Sequence, residues 1–246
     1  MKNKQPTPAS TDTIIFGVHP LVELLTAKRR PVRVVYTTKP EPKAWSLIQK
    51  KLPAHVPVQY VTRDRLHQLA QTTDHQGIVA VVGQFPLRKK PFNPEREKFL
   101  VLLDGVQDPR NLGAILRSAY CTGVHGVILC KKGGVALTGA AIKASAGLAE
   151  HMEIYEAPTA LHATQELTQQ GYHVYMAALG GQDARTVNYL DPLCLVIGSE
   201  DVGISPQVRA LGTTIMLAQK TPEISYNASV AAGILLFLIG SAHKKI

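Results

Sequence analysis

Residues 225–246 read SYNASVAAGILLFLIGSAHKKI, and the architecture of the chain can be worked out from them. Three small polar residues, Ser225, Asn227 and Ser229, open the stretch. An apolar run over 230–239 follows, and Lys244 and Lys245 come near the end. The pattern predicts a C-terminal helix. Ser225 is a candidate N-cap, because a hydroxyl there accepts from the unpaired amides of the first turn. The lysines suit the negative end of the helix dipole. Ala228, Ala231, Ala232 and Gly233 carry little bulk, so another backbone can come close. Two readings are open for the polar start: a cap on a buried helix, or groups presented to a ligand.

Upstream of that helix, strands and helices alternate. Strands are predicted at 99–106, 126–130, 152–155, 174–179, 193–199 and 213–218. Helices are predicted at 111–122, 138–148, 161–170 and 206–211, the first of them capped by Asn111. Segments such as FLVLLDGV at 99–106 and LCLVIGS at 193–199 are almost continuously apolar, as parallel strands buried on both faces are. The prediction is an α/β domain over 99–246, with a mostly parallel sheet covered by helices. In such sheets ligands sit beyond the carboxyl ends of the strands.

Before it lies GQFPLRKKPFNPERE, rich in proline and charge, which marks 85–98 as a linker. Residues 12–84 form a smaller α/β unit, with helices at 20–27, 44–52 and 62–69 and strands at 32–36, 56–61 and 78–82. Thr62 is placed to cap the third helix. Residues 1–11 are polar and read as a disordered tail.

The net charge is +9 on 246 residues. Nucleic acid is the first partner to consider, since basic side chains that meet phosphates release counterions; general solubility is the alternative. The basic residues cluster at 28–30, 39–51 and 88–98. No apolar run reaches the roughly 20 residues of a membrane helix, and the first residues lack the apolar core of a signal peptide. Cys121, Cys130 and Cys194 are odd in number and lack metal-ligand spacing, which predicts free thiols and a cytoplasmic setting. No metal is expected, and no GxGxxG turn or P-loop lysine motif is present.

Three loops hold the polar residues: QDPRNLGAILRSA after Val106, GSEDVGIS after Ile197, and AQKTPEISYNAS after Leu217. Each follows a strand and carries glycine or proline with a helix start. Taken singly, each also reads as an ordinary capped turn.

Together the stretches DGVQDPRNLGAILRSAYCTGVHGVIL, LVIGSEDVGIS and ISYNASVAAGILLF resemble the three motifs of the SpoU (TrmH) family of RNA ribose 2′-O-methyltransferases, in the SPOUT superfamily. FGVHPLVELL and DHQGIVAVV resemble the family's RNA-binding domain, of ribosomal-protein L30e/L7Ae type. The resemblance is strongest to the members that methylate a guanosine ribose in large-subunit rRNA. It implies S-adenosylmethionine as cofactor, RNA as partner, a deep trefoil knot in the C-terminal domain, and a homodimer formed through that domain. It also offers the interface as a reason for the small-residue helix face.

Matched residue by residue, the resemblance implies catalytic roles for Asn111, Arg117, Glu200, Ser225 and Asn227. It implies cofactor contacts at Ile197, Gly198, Leu217, Tyr226 and Ser229. His19, Arg65, His75 and Gln76 are candidates for RNA contact, although a structural role suits His75 as well. Where the family usually has proline, glycine and leucine, this chain has Ala218, Thr221 and Tyr226. Two roles are open for Arg117: proton acceptor, or clamp on the neighbouring phosphate. A guanidinium holds its proton to about pH 12 or above, which favours the clamp. Two other activities remain as alternatives: methylation of tRNA, and RNA binding or ribosome assembly without catalysis.

Overall fold

The computed structural model describes residues 12–221, 225–244 and 246; the tail predicted at 1–11 lies outside them, as does Lys245. The first elements are β1 (Thr13–Phe16), α1 (Val18–Ala27), β2 (Val32–Thr37), α2 (Trp45–Gln49), β3 (Val58–Tyr60), α3 (Arg63–Ala70) and β4 (Ile78–Val82). Next come β5 (Phe99–Asp104), α4 (Pro109–Cys121), β6 (Gly126–Cys130), α5 (Gly139–Ala144), a 3-10 turn (Leu148–His151), β7 (Glu153–Ala157) and α6 (Ala160–Gln169). The remainder are β8 (His173–Asp183), β9 (Leu193–Gly198), α7 (Pro206–Arg209), β10 (Thr213–Met216) and α8 (Ala228–Ala242). The described residues up to Pro86 form one unit together with Leu137–Glu150; Leu87–Ala136 and His151 onward form the other.

In the first unit the sheet order is β1-β4-β2-β3. β4 pairs antiparallel with β1 and β2, and β2 pairs parallel with β3. The strand β1 was not legible in the sequence: it is four residues long and abuts the polar tail. β4, IVAVV, is buried along its whole length because apolar clusters cover both faces of the sheet. Thr62 caps α3 as expected, its Oγ1 accepting from Arg65 N.

The sequence division ran the second domain unbroken from residue 99, yet the contacts assign 137–150 to the first unit. Ile142 of α5 is fully buried in the cluster that holds Ile15, Leu21 and Leu24. A methyl group on Gly139 would lie 2.2 Å from the Ile14 carbonyl oxygen, so only glycine fits there. Arg30 and Glu150 form an ion pair with both side chains 1% exposed. Arg30 Nε donates to Glu150 Oε2 at 3.1 Å, Nη2 donates to Oε1, and Nη1 donates to Gly83 O.

The second unit carries a six-stranded sheet, order β10-β8-β9-β5-β6-β7, parallel at every ladder. Much of the segment predicted as a linker is docked on this unit. Phe92 is 3% exposed within the core, and its ring occupies the space a side chain at Gly126 would need.

Two caps differ from the sequence reading. Asp108, not Asn111, caps α4: its Oδ1 accepts from Arg110 N at 2.8 Å, with Pro109 opening the helix. Asn227, not Ser225, caps α8: its Oδ1 accepts from Ser229 N and Val230 N. Within the chain, two glycines of α8 allow close packing on α4. Positions 233 and 240 face α4 of the same chain; added methyl groups would lie 3.4 Å from Ser118 Oγ and 2.9 Å from Thr122 O. The exposed side of α8 carries Val230, Ile234 and Phe237 instead.

Candidate functional site

β8, β9 and β10 run parallel and end side by side, and a cavity of about 620 Å³ opens beyond their carboxyl ends. That volume suits a small-molecule site. Ile197, Gly198, Glu200, Leu217, Ser225, Tyr226 and Asn227 line it. Ile215, Ala231 and Leu235 add apolar surface.

Three predicted residues lie outside the lining. Ser229 contacts Asn227 instead: its hydroxyl donates to Asn227 Oδ1 at 2.6 Å, so it supports the cap. Asn111 is buried beside the cavity, and its Nδ2 donates to Glu200 Oε1 at 2.6 Å. This bond joins the first of the three loops to the second. Arg117, two turns further along α4, is exposed and is not brought to the cavity by this chain.

Gly198 is required by the loop itself. A methyl group there would lie 2.2 Å from the carbonyl carbon of Gly203, because the chain folds back on itself with paired bonds between Ser199 and Gly203. At the base of this loop Asp104 Oδ2 accepts from Ser205 N and Oγ, fixing the start of α7. Two of the unusual residues in the third loop meet: Tyr226 Oη donates to Ala218 O at 3.5 Å.

Arg209, Leu179, Ala177 and Met216 also line the cavity and were not identified from sequence. The rule that ligands bind at strand carboxyl ends pointed to the end of β8. No motif pointed to Arg209. Among the described residues no group of three or more His, Cys, Asp or Glu side chains could hold a metal ion. Burial, with a smaller contribution from Asp104, pushes the Cys130 thiol up to about 12; burial also raises Cys194. Neither is poised as a nucleophile.

In the first unit the RNA candidates separate. His19, Arg65 and Gln76 are exposed. His75 is fully buried; its Nδ1 accepts from Gly77 N at 2.9 Å, so its ring holds the turn and offers no face to a nucleotide. Gln76 sits at φ 56°, with Oε1 accepting from Val18 N and Lys143 Nζ. Gln76 also lines a second cavity, of about 600 Å³, with Lys39, Arg63, Thr38 and Thr62. Lys39 opens the basic cluster over 39–51, whereas no feature of the sequence pointed to Arg63.

Residues 98–237 match the profile described as the SpoU rRNA Methylase family, and residues 14–87 match the one described as RNA 2′-O ribose methyltransferase substrate binding. YacO of Bacillus subtilis strain 168, provisionally named a TrmH family tRNA/rRNA methyltransferase, is 31% identical over 91% of this chain and 93% of its own length. The 23S rRNA (guanosine-2′-O-)-methyltransferase RlmB of Shewanella oneidensis is 30% identical over 91% of this chain and 95% of its own. The crystal structure of the SpoU methyltransferase AviRb from Streptomyces viridochromogenes, in complex with the cofactor AdoMet, superposes with a TM-score of 0.80 over 96% of this chain and 92% of its own, at 22% identity. The fold is thus the SPOUT α/β class with a small N-terminal domain, and the chain belongs to the SpoU rRNA methylase family of RNA-modifying methyltransferases.

Proposed function

We propose that this chain methylates a ribose 2′-oxygen of a guanosine in large-subunit rRNA, using S-adenosylmethionine. The observation that carries the reading is the Asn111–Glu200 bond at the edge of the cavity lined by Gly198, Leu217 and Tyr226. The 30% identity to the guanosine methyltransferase RlmB supports the choice of nucleotide.

The cavity fits the cofactor chemically. It offers an aromatic side chain, Tyr226, apolar walls, and carboxylates at Glu200 and Asp201. Bound S-adenosylmethionine supplies a methyl group on a positively charged sulfur. Ile197, Ile215 and Leu235 give the cavity an apolar wall that excludes water. Leu217 and Tyr226 would help hold the cofactor. Glu200 fixes the Asn111 amide, and Ser225 and Asn227 bind the target ribose. A ribose 2′-oxygen taking the methyl would give its proton to water, and the S–CH3 bond would break to leave the neutral thioether, S-adenosylhomocysteine. Arg117, exposed on α4 and outside the cavity lining, grips the phosphate next to the target ribose.

The first unit selects the RNA, with His19, Arg65 and Gln76 on its surface and Lys39 and Arg63 at its cavity. Unstacked bases and 2′-hydroxyls are the features proteins read in RNA loops. The enzyme works in the cytoplasm as a homodimer through α8, whose outward face of Val230, Ile234 and Phe237 provides the apolar contact.

The test is methyl transfer from labelled S-adenosylmethionine to 23S rRNA and to bulk tRNA, followed by mapping of 2′-O-methyl groups. Label on one rRNA guanosine is expected. Label confined to tRNA replaces the substrate, and failure to bind S-adenosylmethionine leaves a non-catalytic RNA-binding protein.

A further inference from the structure

Three charged side chains line the cavity of the second unit: Glu200, Asp201 and Arg209. Arg209 is the one cation among the described lining residues, and its position is built in. Asp104 pins Ser205 at the start of α7, and Arg209 N donates to Ser205 O one turn later. Its guanidinium is held from two strands: Nη2 donates to Leu179 O of β8 at 2.7 Å, and Nε donates to Thr214 Oγ1 of β10 at 3.4 Å. The side chain is half-buried. Neither bond uses Nη1.

We infer that Arg209 is the anion receptor of this cavity and binds the carboxylate at the amino-acid end of S-adenosylmethionine. The inference rests on reading the cavity as the cofactor site. A guanidinium held at one edge presents its remaining N–H groups in a fixed plane, the arrangement that a carboxylate matches. The carboxylate is the cofactor's only anion. Beside Glu200 and Asp201 it would be repelled, so Arg209 is where it finds an opposite charge. An RNA phosphate shares this chemistry, and the experiment separates the two.

Wild type, Arg209→Gln and Arg209→Lys are titrated by calorimetry with S-adenosylmethionine and with decarboxylated S-adenosylmethionine, which lacks only the carboxylate. Losing a charged hydrogen bond should weaken S-adenosylmethionine binding by roughly ten- to hundredfold in Arg209→Gln while the decarboxylated ligand stays within about twofold, with Arg209→Lys between. Equal weakening for both ligands would overturn the proposal and leave Arg209 as a tie between β8 and β10. No weakening for either would also overturn it and hand Arg209 to the RNA. Wild type binding neither ligand would refute the cofactor reading itself.

Discussion

Asn111 Nδ2 donates to Glu200 Oε1 at 2.6 Å across 89 residues of chain. A carboxylate only accepts, so the amide nitrogen is the atom that faces it. The Asn111 carbonyl oxygen is thereby directed elsewhere and remains available to a donor. Replacing Glu200 by Ala leaves a buried amide unpaired, a cost of about 1–3 kcal/mol. Glu200→Ala is expected to lower the melting temperature and abolish methyl transfer. Glu200→Gln should keep the fold and lose at least about tenfold in turnover, because a charge-assisted bond becomes a neutral one. Thermal melts and single-turnover assays check both.

Arg117 stands exposed and outside the cavity lining. Arg117→Ala should therefore bind S-adenosylmethionine within about twofold of wild type while methyl transfer falls by about a hundredfold or more, the scale of a lost charge-stabilising donor. Near-normal turnover would remove Arg117 from the mechanism.

Gly198 has no space for a side chain, with backbone of Gly203 and Ile204 within 2.3 Å of an added methyl. Gly198→Ala must push the loop over 199–203 outward. The expected destabilisation is about 1–3 kcal/mol, as for overpacked cores. Cofactor affinity should fall with it, read by denaturation and calorimetry on the same sample.

The Arg30–Glu150 pair is buried at both ends. Glu150→Ala would leave Arg30 charged and enclosed, a loss of about 3–5 kcal/mol. Arg30→Met combined with Glu150→Leu should recover most of it, since apolar substitutes need no partner. A urea series on Arg30→Met, Glu150→Leu and the double variant measures the coupling.

His75 titrates below its ordinary value of 6.5, chiefly because it is buried and then because His67, Arg63 and Lys143 repel a charge there; Asp74 opposes them. The folded state thus takes up the proton later than the unfolded chain. The stabilisation is present above pH 6.5 and is lost as pH falls through the lower folded value. Stability followed from pH 7.5 to 5 should drop, and His75→Gln should flatten the drop.

Periodicity and apolar runs made the second sheet legible, because strands buried on both faces leave nothing polar to confuse them. The caps were harder. Asn111 and Ser225 are cap-forming types, but Asp108 before Pro109, and Asn227, took those places. Asn111 was left for Glu200, a pairing that only long-range folding creates. Arg209 could not be read at all: it lies on a four-residue helix, and its role depends on Leu179 and Thr214, far off or on another strand. Likewise α5 reads as an ordinary helix of the second domain, and nothing local shows that Ile142 belongs with Ile15.

That arrangement bears on synthesis. Chains emerge from the ribosome N-terminus first, and domains usually fold in that order. Here Ile142 and Glu150 complete the leading core. It has to wait, half assembled, until β5, α4 and β6 of its successor have already been made. A translational pause near residue 90 would therefore expose an unfinished core to chaperones rather than release a finished module.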